Sequence, residues 1–121
     1  MIKITRLIKS FKYAIRGLAK VFREEQNLRV QTGAGILALA LAVYFSITSI
    51  EWCILLIVIM TVLLMEIANS AVERVTDVLK PRINNYVKEI KDIMAAAVML
   101  ASTFAVIIGL IIFYPYIIEL F

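Results

Sequence analysis

Residues 52–77, with the sequence WCILLIVIMTVLLMEIANSAVERVTD, decide how this chain folds. Their apolar part ends at Met65, and its roughly 14 residues extend only about 21 Å as a helix. The hydrocarbon core of a bilayer is about 30 Å thick, so a helix that crosses it must carry Glu66 and Asn69 into the membrane. Polar side chains at that depth face a protein interior or a wet cavity. The interruption at Glu66 is therefore the first indication of function.

The rest of the chain also has the composition of a membrane protein. Of its 121 residues, 63% are hydrophobic and 18% are charged, with a mean hydropathy of +0.95. In soluble domains about 45–50% of the residues are hydrophobic and about 25% are charged. Two further long apolar segments predict spanning helices at 30–50 and 92–118, and Pro115 is expected to end the second of them. We therefore predict an all-α integral membrane protein, a single domain over 1–121 with three transmembrane helices.

The positions of the basic residues predict the topology. All thirteen Lys and Arg precede the first span or lie between the second and third spans, and the positive-inside rule makes these regions cytoplasmic. The N terminus is then cytoplasmic and the C terminus outside. Residues 1–28 combine cations and apolar side chains at helical spacing, which predicts an amphipathic helix in the membrane interface. The second span is expected over 52–79, extending into the cytoplasm, and a cytoplasmic loop over 80–91.

Composition excludes several kinds of active site. The chain has no His and one Cys, and its four Gly are too scattered for a Walker-type phosphate loop. Any phosphate chemistry must therefore come from carboxylates and cations.

Carboxylates and one amide recur on a single face of the second helix. They follow at steps of three, four and four residues: Glu66, Asn69, Glu73 and Asp77. Glu25 precedes the first span, and Asp92, next to Lys91, begins the third, so they reach the same membrane surface. Mg²⁺ often binds through one or two carboxylates plus substrate phosphates, and a lysine can neutralise phosphate charge. These are the parts of a phosphoryl-transfer site.

Plainer interpretations stay open at this point. The charged end of the second helix could be a solvated terminus paired with Arg74 or Lys80, and Glu24 is expected to be solvated. A small proton-coupled transporter would account for Glu66 but not for the surface helix. A basic membrane peptide with a purely structural role is a third interpretation, but it gives no reason for the free-energy cost of placing a carboxylate within the membrane.

One motif carries a family resemblance: E-x-x-N-S-A-V-E-x-x-x-D at 66–77, followed by Lys91-Asp92 before an Ala-rich span. Three shorter segments carry it as well, namely SFKYAIRGL at 10–18, EEQNLR at 24–29 and IEW at 50–52. Over essentially its whole length the chain resembles the prokaryotic diacylglycerol kinase/undecaprenol kinase family. The resemblance implies a homotrimeric lipid kinase of the bacterial inner or plasma membrane. It also implies ATP as co-substrate, Mg²⁺ as cofactor, a membrane lipid as substrate and no nucleic-acid partner.

The resemblance implies roles for individual residues by matching position. Glu66 is the expected catalytic base for the lipid hydroxyl, and Glu25 and Glu73 are the expected Mg²⁺ ligands. Nucleotide contacts are implied for Arg6, Tyr13, Glu25, Glu73, Asn84, Lys91 and Asp92. Supporting roles fall to Asn69 and Asp77, and contacts with the lipid substrate to Ser10, Phe11, Ile15 and Glu66.

The resemblance also bears on the lipid. The N-terminal segment, IEW and IIGLIIFYP at 107–115 resemble the Gram-positive members, which are generally regarded as undecaprenol kinases. We therefore expect undecaprenol to be converted to undecaprenyl phosphate. The alternative is diacylglycerol, converted to phosphatidic acid by the same base and metal.

Overall fold

A computed structural model describes residues 1–80 and 84–121, and these residues form four α-helices without a strand. The helices are α1 (Ile4–Glu24), α2 (Gln26–Phe45), α3 (Ser49–Leu79) and α4 (Asn84–Leu120). The last three are long and apolar enough to cross a membrane. The expected fold class, an N-terminal helix followed by three spanning helices, is confirmed.

The first helix, α1, is amphipathic, and none of its residues from Ile4 to Glu24 is buried. Its apolar side chains stay open, with Phe11 63% and Ile15 66% exposed. Arg16, Lys20 and Arg23 line a basic surface on the other side. A helix with such a division is stable where its apolar face enters the lipid boundary and its cations meet headgroups.

The helix expected over 1–28 is interrupted at Glu25. This residue has extended dihedral angles (φ −104°, ψ 109°) and separates α1 from α2. Arg29 stabilises the break, because its Nη1 donates to the main-chain oxygens of Phe22 (3.0 Å) and Arg23 (2.6 Å). These carbonyl groups belong to the C-terminal turn of α1, where no main-chain N–H of the same helix is available to them. The interruption sets the side chain of Glu25 at the corner between two helices.

A tight turn over 46–48 joins α2 to α3. Ser46 adopts the left-handed conformation (φ 52°) that ends α2. Thr48 and Glu51 then form a capping box: the N–H of Glu51 donates to Thr48 Oγ1 (3.2 Å) and the N–H of Thr48 donates to Glu51 Oε1 (3.0 Å). The spans expected at 30–50 and 52–79 therefore meet a few residues earlier than predicted. Hydropathy alone does not reveal this turn, because Ile47 and Ile50 keep it apolar.

The buried core lies beside this turn, at the end of the bundle opposite Glu66. Its buried residues are Ala42, Ile47, Leu55, Ile112 and Phe113. Tyr116 packs on the core, and its hydroxyl donates to the Glu51 carboxylate, which ties α4 to the first turn of α3. Further along, α2 and α3 approach closely at Gly35, where a Cβ would lie 3.0 Å from Cγ2 of Ile59. The bundle is thus held firmly at one end and along the α2–α3 contact.

The loop expected over 80–91 is helical from Asn84 onward. Val87 is 2% exposed on this part of α4, and Lys91 pairs with Asp77 of α3. Packing and charge therefore favour a helix where the sequence shows mainly polar residues. Residues 81–83 of the expected loop, including the cation Arg82, lie outside the described residues.

The end of α4 also differs from the expectation, because the helix continues through Pro115 to Leu120. Proline removes one main-chain hydrogen bond. The side chains of Phe113 and Tyr116 on either side of it are packed into or onto the core. Since unpaired backbone groups are costly in lipid, a helix with one missing hydrogen bond is favoured over an open chain.

Candidate active site

Glu66 lies on the buried side of α3 and is 1% exposed. The charged groups that act on its carboxylate are Glu25 and Glu73, and the amides of Asn69 and Asn27 lie near it. Three acids gathered around a buried position are costly unless they bind something of opposite charge. We call Glu25, Glu66, Asn69 and Glu73 the carboxylate cluster.

Helical spacing and the break before α2 assemble the carboxylate cluster. Three of its members come from one face of α3, where Asn69 Nδ2 donates to Glu73 Oε1 over 3.4 Å. Glu25 comes from the corner between α1 and α2, and its Oε1 accepts a hydrogen bond from Ser70 Oγ at 3.1 Å. Ser70 is 0% exposed. A hydroxyl buried under the cluster therefore fixes the orientation of a carboxylate that the break alone would leave mobile.

Arg74 borders the cluster on the side of the surface helix. It donates to the carboxylate of Glu24 and to the hydroxyl of Ser70, and its Nη1 lies 3.6 Å from Glu25 Oε1. This overturns the alternative left open for Arg74 and adds a partner to the solvated Glu24. The partner of Arg74 is the Glu24–Glu25 pair rather than the acids of its own helix, and Glu24 is ion-paired as well as half exposed.

Asp77 and Lys91 form a second ion pair, which joins α3 to α4. Lys91 Nζ lies 2.8 Å from Asp77 Oδ1, and the side chains are 35% and 62% exposed respectively. Glu73 also acts electrostatically on Lys91. A cation therefore stands next to the carboxylate cluster, held by an exposed acid that solvent can replace.

Other residues with implied roles lie apart from the cluster. Among the described residues, no hydrogen bond or ion pair joins Arg6, Ser10 or Tyr13 to it. Ser10 Oγ donates to the main-chain oxygen of Arg6 (3.0 Å), and the ring of Tyr13 faces Arg16. The remaining four, exposed on α1 or α4, are Phe11, Ile15, Asn84 and Asp92. A single chain therefore brings together the acids and Lys91 but not the other residues expected to contact the nucleotide and the lipid.

The donor set suits a hard cation. Carboxylate and amide oxygens are the ligands that Mg²⁺ and Ca²⁺ prefer, whereas zinc sites use His and Cys. Among residues 1–80 and 84–121, no group of three or more His, Cys, Asp and Glu side chains stands ready to enclose a metal. Mg²⁺ normally keeps water and binds substrate phosphates beside one or two carboxylates. The pair Glu25 and Glu73 fits that second mode, in which the nucleotide completes the coordination.

Two residues of the site, Asn27 and Ser70, were missed by the sequence analysis, as was the pairing of Arg74 with Glu24. Asn27 follows Glu25 by two residues, and Ser70 stands four after Glu66. Both residues are visible in the sequence, but an Asn in the first turn of a helix or a Ser within a helix is not unusual and does not by itself indicate a site. The partner of Arg74 was not readable at all, because the pairing joins residues fifty positions apart.

Comparison with known proteins identifies the family. The family model for prokaryotic diacylglycerol kinase matches residues 12–113. An undecaprenol kinase of Bacillus subtilis is 31% identical over 113 residues, which are 93% of this chain and 92% of that protein. A diacylglycerol kinase of Escherichia coli is 33% identical over 103 residues, 85% of this chain and 84% of that protein. One of Synechocystis is 32% identical over 104 residues, 85% of this chain and 59% of that protein.

The residues matched by the family model include Glu25, Glu66 and Glu73, all of α2 and α3, and α4 as far as residue 113. A kinase of this kind takes its phosphoryl group from ATP, which is therefore the co-substrate. The apolar helices and the family together make it a membrane protein that phosphorylates a lipid. This chain belongs to the prokaryotic diacylglycerol kinase family and is a lipid kinase.

Proposed function

We propose that this protein transfers the γ-phosphoryl group of Mg²⁺-ATP to the primary hydroxyl of undecaprenol and so makes undecaprenyl phosphate. The observation that carries the chemistry is the burial of Glu66 near two further acids, Glu25 and Glu73. The undecaprenol kinase of Bacillus subtilis, similar over 93% of this chain, supports the choice of lipid.

In the proposed reaction, Glu66 accepts the proton of the lipid hydroxyl. The hydroxyl oxygen attacks the γ-phosphorus, the bond from that phosphorus to the bridging oxygen of ADP breaks, and ADP leaves with the bonding electron pair. A general base of this kind needs its carboxylate within hydrogen-bond reach of the hydroxyl. Undecaprenol carries its hydroxyl at the membrane surface, and Glu66 belongs to a helix that crosses that surface.

Glu25 and Glu73 would hold Mg²⁺ together with the phosphate oxygens. The metal would neutralise phosphate charge during transfer. Asn69 donates a hydrogen bond to Glu73 and would help to hold that carboxylate in place. Asp77 keeps Lys91 beside the cluster until a phosphate replaces it.

The remaining nucleotide and lipid contacts are proposed for exposed residues. Arg6, Tyr13, Asn84 and Asp92 would contact the nucleotide, while Ser10, Phe11 and Ile15 would border the lipid. Because these side chains lie on open surfaces of a single chain, an assembly is needed to enclose the site. We propose a homotrimer, with the N terminus and all the basic residues on the cytoplasmic side and the C terminus outside.

Diacylglycerol is the second candidate acceptor. It too presents a primary alcohol at the interface, and the diacylglycerol kinase of Escherichia coli is similar over 85% of this chain. The same base and metal would serve both lipids, so the choice depends on the apolar surface that holds the lipid chains and not on the carboxylate cluster.

Labelled ATP and purified protein in mixed micelles test the proposal. Undecaprenol and diacylglycerol are supplied separately and then together at equal mole fraction, with Mg²⁺ present. We expect faster labelling of undecaprenol in both formats, and a Glu66→Gln variant gives the background. Faster labelling of diacylglycerol would replace the acceptor, whereas no labelling of either lipid would reject the proposed function.

A further inference from the structure

Arg74 holds its two terminal nitrogens in different surroundings. Nη1 donates to the main-chain oxygen of Ser70 (3.3 Å) and to the buried hydroxyl of the same residue. Nη2 donates to Glu24, whose side chain is 50% exposed. One half of the guanidinium is therefore fixed on the buried side of α3, and the other half is held by an acid that faces solvent.

These two halves differ in how readily they exchange partners. An exposed ion pair contributes little, because water and salt compete for both charges. A planar guanidinium matches the oxygens of a phosphate, and its hydrogen bonds to a phosphate are charge-assisted. A polyphosphate that reaches Arg74 is therefore a stronger partner for Nη2 than Glu24 is, while Ser70 still anchors Nη1.

We propose that Arg74 binds the nucleotide: Nη2 leaves Glu24 and donates to a phosphate oxygen of Mg²⁺-ATP. This proposal rests on the proposed function, because it needs the phosphates at Glu25 and Glu73. Nη1 of Arg74 lies 3.6 Å from Glu25 Oε1, so a phosphate that shares a metal ion with Glu25 arrives beside the guanidinium. Nucleotide binding then releases the tie that Arg74 makes between α1 and α3.

The competing explanation is that Arg74 only ties α1 to α3. The two explanations predict different changes in nucleotide affinity when the Glu24–Arg74 pair is broken by substituting one residue or the other. If Arg74 binds phosphate, Arg74→Gln weakens nucleotide binding, whereas Glu24→Gln strengthens it by removing a competitor. If the pair is only a tie, both substitutions break the same bridge and change binding in the same direction.

The experiment measures the dissociation constant of a non-hydrolysable ATP analogue with Mg²⁺, using the full chain in detergent micelles. We expect Arg74→Gln to raise it about tenfold, the effect of one charge-assisted hydrogen bond. Glu24→Gln should lower it by about two- to threefold, the size of an exposed ion pair. Arg74→Lys, which keeps the charge without the planar fork, should fall between wild type and Arg74→Gln.

Two further variants separate the possible failures. Arg23→Gln removes a neighbouring cation from the last turn of α1 and is expected to leave the analogue's dissociation constant unchanged. Glu73→Gln tests the nucleotide site itself: if it weakens the analogue while Arg74→Gln does not, only the role of Arg74 is rejected. If neither Glu73→Gln nor Arg74→Gln has an effect, the proposed site fails. Weaker binding of the analogue in both Glu24→Gln and Arg74→Gln would show that the pair is only a tie between α1 and α3. If Arg74→Gln does not fold, the Glu24→Gln variant decides: tighter binding supports the phosphate contact, and weaker binding rejects it.

Discussion

Replacing Glu66 by Gln should separate catalysis from stability. The amide has nearly the same shape as the carboxylate but cannot accept the proton of a lipid hydroxyl. Loss of a positioned general base typically slows a reaction by about 10²- to 10⁴-fold. At 1.36 kcal/mol for each factor of ten, this adds about 3 to 5 kcal/mol to the barrier.

The same substitution should stabilise the fold. Glu66 is 1% exposed, and the nearby charges, Glu25 and Glu73, have the same sign. A neutral side chain removes that repulsion and the cost of burying a charge. The amide N–H groups of Gln can also donate to the neighbouring carboxylates, so no buried donor is left unpaired. We expect the free energy of unfolding to rise by about 1 to 3 kcal/mol, the size of the desolvation penalty of a buried polar group.

Two measurements check this prediction on the same preparation. Transfer of label from ATP to lipid gives the turnover, and unfolding in a denaturing detergent gives the stability. The variant should stay assembled and should still bind a non-hydrolysable ATP analogue. Glu119→Gln, at the end of α4, is the matched control and should change neither quantity. Retained turnover would show that the base is another residue, and a less stable variant would show that the Glu66 carboxylate supports the fold.

Three other substitutions test further parts of the structure. Glu73→Gln should raise the Mg²⁺ concentration needed for half-maximal turnover with less effect on the lipid KM, and an unchanged Mg²⁺ titration would contradict its role as a metal ligand. Gly35→Ala places a Cβ 3.0 Å from Cγ2 of Ile59, whereas the Cβ of the control Gly33→Ala meets no atom within 4 Å. We expect Gly35→Ala to be less stable than the control by about 1 to 3 kcal/mol. Equal unfolding midpoints would show that the helices can separate there. Tyr116→Phe removes the hydroxyl that donates to the carboxylate at the start of α3, and it should lower the unfolding midpoint while turnover per folded protein stays the same.

The spanning helices could be predicted because each is encoded locally. A long apolar segment needs only the membrane to make it a helix, and the period of 3.6 residues puts Glu66, Asn69 and Glu73 on one face whatever the rest of the chain does. The ends were harder to predict. The turn at Ser46 carries no glycine or proline, and Pro115 is tolerated because its neighbours are packed. Such boundaries depend on contacts between helices, which hydropathy does not describe.

Sequence by itself determined that this is a membrane protein and that it belongs to a family of lipid kinases. It also determined that Glu66, Glu73 and Asp77 lie on one face of the second spanning helix. Only the tertiary structure decided that Glu25 reaches that face through a break between α1 and α2, with Ser70 orienting it. Only the tertiary structure paired Arg74 with Glu24. The physical reason is range: burial in lipid and helical periodicity act over a few neighbouring residues, whereas a hydrogen bond or ion pair between distant residues exists only once the helices have packed.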